Sequence, residues 1–256
     1  MRRIKITLEY DGTNFHGFQR QKRQESQKSD LPTIQGSIEA ALFKLTKQHI
    51  TLQVAGRTDA GVHAKGQVCH LDIESDSGLN MFKDGINRFT PETISVIKAE
   101  EVDETFQARF NCCARNYEYL IFNRRTASPF WIGRATHIRK PLNFKAMQEA
   151  SKHFIGEHDF SAFRTPECCA KSPIKIIHHF KMEKDGDIIK FTIRGSAFLH
   201  NMVRIMCGTL VRVGKGTIKP EDVKTILESK DKNLNPLTLD SDGLYFTKAE
   251  YPPIEE

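Results

Sequence analysis

Met1-Arg2-Arg3-Ile4-Lys5-Ile6-Thr7-Leu8-Glu9-Tyr10 alternates apolar and polar side chains from Ile4 onward. Two basic residues would also open a secretory leader, but a leader then needs a continuous apolar stretch. A period of two instead belongs to a strand with one buried face. Downstream, Ile34, Ile38, Ala41, Leu42 and Leu45 fall at helical spacing behind Pro32 and a candidate N-cap, Thr33. Short strand patterns follow near 50–55 and 67–73. Leu79, Phe82, Ile86 and Phe89 mark a second helix closed by Pro91, and 94–102 reads as another strand. The order is β-α-β-β-α-β.

The second half repeats it. Residues 116–122 read as a strand, and Phe144, Met147, Ala150 and Phe154 line a helix that ends near Gly156. The runs 174–183 and 187–195 flank Asp185-Gly186, a hairpin signal. Leu199, Met202, Val203, Met206 and Leu210 form an apolar helical face; Pro220 suits a first helical position, and 243–251 closes the pattern as a strand. The chain is therefore predicted to be α+β. Two ferredoxin-like (βαββαβ) halves with mainly antiparallel sheets are expected, at 1–105 and 106–256, with an active-site cleft between them. The seam is expected near 103–112. Such a cleft suits a large substrate.

At 256 residues the chain is long enough to bury a core in either half. Its 38 Lys plus Arg against 32 Asp plus Glu leave 38 − 32 = +6, which permits a polyanionic partner without requiring one. No apolar run approaches a membrane span, so no membrane partner and a cytoplasmic location are expected. The six cysteines (Cys69, Cys112, Cys113, Cys168, Cys169 and Cys207) contain no Cys-x-x-Cys and read as free thiols. The segment 20–30 has no apolar side chain, and reads either as a tolerated exposed insertion or as an RNA-phosphate contact through Arg20, Lys22, Arg23 and Lys28.

Several signatures fail. Gly208 and Gly214-Lys215 suggest a phosphate loop, but five residues separate the glycines and Gly216 stands where Ser or Thr is needed. His178 and His179, adjacent on a strand, are expected on opposite faces and so cannot share a metal. No dinucleotide fingerprint, zincin motif or nucleophile elbow occurs. Metal-dependent, redox and nucleotide-hydrolysing chemistry lose support.

One loop stands out: Gly56-Arg57-Thr58-Asp59-Ala60-Gly61-Val62-His63-Ala64, between two strand candidates. Taken alone, an Asp before Ala-Gly is a turn residue. The same glycines would equally let a loop present a carboxylate into a cleft. This stretch resembles the signature loop of the tRNA pseudouridine synthase A family, whose Asp is the catalytic carboxylate. Three further stretches resemble that family in the same order. They are Tyr10-Asp11-Gly12-Thr13-Asn14-Phe15-His16-Gly17-Phe18-Gln19-Arg20-Gln21, then Ala108-Arg109-Phe110 with Ala114-Arg115-Asn116-Tyr117-Glu118-Tyr119, then Phe198-Leu199-His200-Asn201-Met202-Val203-Arg204-Ile205-Met206. Asn235-Pro236-Leu237-Thr238-Leu239, with Gly243-Leu244 only later, departs from the family pattern.

The resemblance implies Asp59 as catalytic residue, Tyr117 as the aromatic face for the substrate base, and Arg204 as the partner of Asp59. Arg57 is implied to fill the gap left by a flipped base or to contact phosphate. It further implies a homodimer acting on uridines 38–40 of the tRNA anticodon stem-loop. Pseudouridine formation breaks the C1′–N1 bond, turns the base and rejoins it through C5, an isomerisation that needs no cofactor and no metal. A carboxylate beside C1′ can attack it, stabilise positive charge on the sugar, or take a ribose proton. An arginine beside that carboxylate would keep it ionised where desolvation opposes charge.

Overall fold

β1 (Arg2–Tyr10) lies where the alternation predicts a strand, with Ile4, Ile6 and Leu8 fully buried. The computed structural model describes residues 1–21, 32–166, 168, 170–234 and 237–252. They fall into two units, Met1–Cys113 with Tyr245–Glu256, and Ala114–Leu244.

In the first unit β1 is the spine. It pairs antiparallel with β3 (His63–Ile73) along one edge and with β4 (Ile94–Val102) along the other, setting Ile6 between Cys69 and Ala99. β2 (Gln53–Val54) adds antiparallel to β3 opposite Cys69 and His70. The opposite end of β3 is taken by β10 (Leu244–Glu250), which runs parallel to it, Tyr245 facing His63. α1 (Ile34–Thr46) begins at the expected cap: the Thr33 hydroxyl accepts the Gly36 amide at 3.2 Å. Its Ile34, Ile38, Ala41 and Leu42 are buried. α2 (Ile86–Phe89) follows a π turn at Met81–Gly85, and buries Ile86 beside Phe82.

In the second unit the sheet runs β5 (Ala114–Asn123), β9 (Ile188–Gly195), β8 (Ile174–Asp185), β7 (Gly156–Asp159), all antiparallel. β6 (Thr136–Ile138) pairs parallel with the end of β5. The β8–β9 hairpin closes with Asp185 opposite Ile188, and Gly186 takes φ +53 at the first turn position. Three helices complete the unit. α3 (Phe144–Ser151) is capped by Asn143, whose side chain accepts the Ala146 amide at 3.1 Å. α4 (Met202–Gly214) is buried along most of its length, and α5 (Asp222–Ser229) starts two residues after Pro220.

The fold is thus α+β with mainly antiparallel pairing, as the two periodicities predict. The second half carries more strands than the repeated pattern, because β6 and β7 span only three and four residues and show no usable alternation. Its predicted closing strand joins the first unit instead. One side-chain expectation is corrected. A bulge between Ile177 and His179 interrupts the alternation of β8, and His178 and His179 are both exposed. Most of the polar stretch 20–30 lies outside the described residues, as do Cys169, Asn235 and Pro236. Arg20 is described, and its guanidinium lies 3.4 Å from the buried carboxylate of Glu39. The five described cysteines are free thiols. Among the described residues no helix is long and apolar enough to cross a membrane.

Ile6 lies on β1, flanked by β3 and β4, and is fully buried. Ile6→Ala should lower the unfolding free energy by about 2–5 kcal/mol, measured by urea denaturation, through lost burial and the cavity left behind.

Candidate active site

The loop around Asp59 is held at both ends before it presents anything. At its entry the Ala55 amide donates to Val68 O at 2.9 Å, and the buried Gln67 side chain donates to Gly56 O at 2.8 Å. Thr58 is buried, its hydroxyl 2.7 Å from the Tyr10 hydroxyl and its carbonyl accepting the Phe18 amide at 3.0 Å. Burial pushes the Tyr10 phenol well above its ordinary range, so it stays a neutral hydrogen-bonding group.

Asp59 then heads a tight turn. Its carbonyl accepts the Val62 amide at 3.2 Å, and Gly61 takes φ +78 at the third position, as a type II turn requires. The carboxylate side chain is half-buried, and the neighbouring Arg57 is exposed. The bland reading of Asp59 as a turn residue is therefore correct, and compatible with a chemical role.

The loop after β1 clasps this turn. Phe15 O accepts the Gly61 amide at 3.2 Å, while Phe15 and Phe18 are buried. Gly12 lies so close that an added Cβ would sit 2.0 Å from the Val62 carbonyl oxygen. At Gly17, with φ +89, a Cβ would sit 2.9 Å from Thr58 O. His63, buried at the loop's exit, accepts the Gly12 amide at Nδ1 (3.1 Å) with Asp11 Oδ1 3.2 Å away, and stacks on Tyr245 at 4.6 Å. Periodicity carries no trace of these supports, because they are contacts between loops. Their only sequence signal is the cluster of glycines at 12, 17 and 61.

Tyr117 and Arg204 belong to the second unit, and both are fixed by the segment leading into α4. Tyr117, on β5 opposite Ile193, is buried and meets the Phe198 ring edge-on, centroids 5.0 Å apart. Three residues after Phe198, Asn201 adopts φ +60 before the helix starts, a conformation asparagine tolerates. Its side chain accepts Arg204 Nη1 at 2.6 Å, and Leu239 O accepts Arg204 Nε at 2.6 Å. The divergent 237–239 stretch can lie this close to α4 because Gly208 has no side chain: a Cβ there would be 2.3 Å from Leu237 O. The structure thus groups Arg57 with Asp59 in one loop, and Tyr117 with Arg204 around one segment.

The sequence model of a family described as tRNA pseudouridine synthase matches residues 6–111 and 150–252, which include Asp59 and Arg204. This chain belongs to that family. It is 42% identical over 256 residues to the "tRNA pseudouridine synthase A" of Herminiimonas arsenicoxydans, covering 98% of this chain and 90% of that one. It is similarly 42% identical over 250 residues to the protein of that name from Ehrlichia canis (strain Jake), covering 97% and 100%. Pseudouridine synthases are isomerases, and this synthase is an enzyme of that class.

The clasp gives a direct test in the synthase. Gly12→Ala must push the Asp59 turn away from β1, and where a turn carries a reacting group an angstrom-scale displacement costs about 100-fold in rate. Initial rates of pseudouridine formation should fall by that order while the circular dichroism spectrum is retained.

Proposed function

We propose that this enzyme converts uridine to pseudouridine in tRNA, at positions 38–40 of the anticodon stem-loop, with Asp59 as its catalytic residue and no cofactor. The observation that carries the reading is the clasped type II turn. It is a rigid scaffold holding a half-buried carboxylate, within a loop that resembles the family's signature.

The uridine leaves its stack and rests against Tyr117, whose ring is braced by Phe198. Asp59 acts at the ribose, either as nucleophile at C1′ or as the base for a ribose proton, while the C1′–N1 bond breaks. The base turns and C5 bonds to C1′ as the carboxylate leaves that carbon, or gives back the ribose proton it took; the C5 proton departs and N1 gains one, so the product is an isomer of the substrate. Arg204 keeps the carboxylate ionised once water is excluded, with its guanidinium oriented by Asn201 and the Leu239 carbonyl. Arg57, exposed beside Asp59, fills the space vacated by the base or meets a phosphate.

The same reading divides the work between residues 1–105, which carry the Asp loop, and 106–256, which carry Tyr117 and Arg204. It treats both as ferredoxin-like halves with the active site in a cleft between them. The element order β-α-β-β-α-β in the first unit, with its strands in the order β4-β1-β3 and β2 on the outer edge of β3, supports that for the first half. The active form is proposed to be a cytoplasmic homodimer, which sedimentation equilibrium would test.

The experiment is incubation with unmodified tRNA, without added metal or nucleotide, and mapping of pseudouridine at single-nucleotide resolution. Product at 38–40 is expected; product elsewhere would move the target, and no product would sink the reading. Asp59→Asn should abolish turnover while tRNA still binds, and full activity in that variant would remove Asp59 from the mechanism. Arg204→Ala should lower kcat by about 100-fold or more, and unchanged kinetics would refute its role.

A further inference from the structure

The second unit holds a cavity of about 440 Å³ that the proposed chemistry does not use. One wall is the turn after β7, with Ser161, Arg164 and Thr165; the other is the chain reversal after α5, with Lys230 and Lys232. That reversal is made by Lys230 itself, at φ +57, and is fixed by Asp231, whose carboxylate accepts the Asn233 amide at 2.9 Å. Among the described residues the lining contains no aromatic side chain. Among those residues it therefore offers no aromatic face on which a nucleobase could stack.

It does offer charge. Among the described residues three cations line it against a single carboxylate, Asp231. Lys230 is shared with Asp159, 3.4 Å away, a carboxylate that partial burial disfavours but hydrogen bonds from Ser161 and Lys230 hold below its ordinary range. Arg164 and Lys232 have no ion-pair partner among the described residues. That guanidinium and ammonium, unpaired among the described residues and beside the hydroxyls of Ser161 and Thr165, suit the tetrahedral anion of a phosphate.

The cavity is also tied to the proposed site. Thr165 Oγ1 lies 2.7 Å from His200 Nδ1, and the next residue is Asn201, which holds Arg204. A ligand at the cavity's rim would thus sit one hydrogen bond from the segment that orients Arg204.

We propose that this cavity takes a backbone phosphodiester of the RNA substrate, through Arg164 and Lys232, at a distance from the reacting nucleotide. The inference rests on the proposal that tRNA is the substrate. It assigns the cavity the part that phosphate contacts play in nucleic-acid recognition, which is to fix register without reading sequence.

The test measures tRNA affinity across a salt series for wild type and for Arg164→Ala/Lys232→Ala. Both side chains lie at the surface or partly so, and thermal melting should be unchanged. Losing two phosphate contacts should lower the slope of log affinity against log salt by roughly 1.5. Affinity at moderate salt should drop about ten-fold, and KM should rise about as much, with kcat affected far less. Lys224→Ala, on the exposed flank of α5 and paired there with Glu228, should leave the slope alone. An unchanged slope and KM in the double variant would overturn the proposal. So would calorimetric binding of uridine monophosphate to wild type that the variant loses while its tRNA affinity stays intact, since the cavity would then hold a free nucleotide. The phosphate site and the reaction fail separately. Pseudouridine formed with normal KM by the variant removes only the phosphate site. A salt slope lost in a protein that makes no pseudouridine removes only the reaction.

Discussion

The contact between Gly12 and the Val62 carbonyl is the constraint on which the Asp59 turn of the first unit depends. Backbone meets backbone there with no room for a single methyl group. Val62 also closes the turn that Asp59 opens, so a fixed Val62 is a fixed Asp59. β1 and β3 pair antiparallel just behind, and the clasp passes the rigidity of that ladder to a loop that would otherwise be a mobile connection. Tyr10 and His63 complete the support as buried polar groups, each with a hydrogen-bond partner, which makes the arrangement specific as well as close.

The second unit reaches the same end by similar means. Gly208 gives up its side chain so that the Leu237 carbonyl can lie on α4, and the carbonyl of Leu239 then orients Arg204. A helix start with Asn201 in the left-handed region would be a poor choice for stability alone. Here that residue spends its side chain on Arg204 rather than on capping the helix. In both units a residue of the proposed site is held in place by main-chain carbonyls and glycine contacts, which tolerate little substitution.

Patterns local in sequence are legible from the residues alone. β1, β4, β5, α1 with its Thr33 cap and the β8–β9 hairpin all follow from alternation, helical spacing or turn chemistry. β6 and β7 do not, being too short to alternate, and the bulge in β8 moves His179 to where a period of two would not put it. Long-range contacts are likewise invisible: nothing near Gly12 announces Val62, and nothing near Arg204 announces Leu239. Asp59 shows the limit most clearly. Its local signal says turn, the structure agrees, and only resemblance to a family separates this turn from any other. Arg57, Tyr117 and Arg204 depend on the same resemblance, since local reasoning alone would leave Tyr117 in the core and Arg204 in a structural pair.

β10 carries a consequence for how the molecule is made. Tyr245 pairs beside His63 and stacks on its ring, yet the whole of Ala114–Leu244 intervenes between them along the chain. As the polypeptide leaves the ribosome, the first unit emerges early but lacks the strand that covers that end of β3. That end of β3 must wait, with an open sheet edge, until the second unit has been synthesised. Pairing at that end of β3 is thus timed by translation, and a nascent chain stalled within the second unit would expose that edge to chaperones or to other unfinished chains.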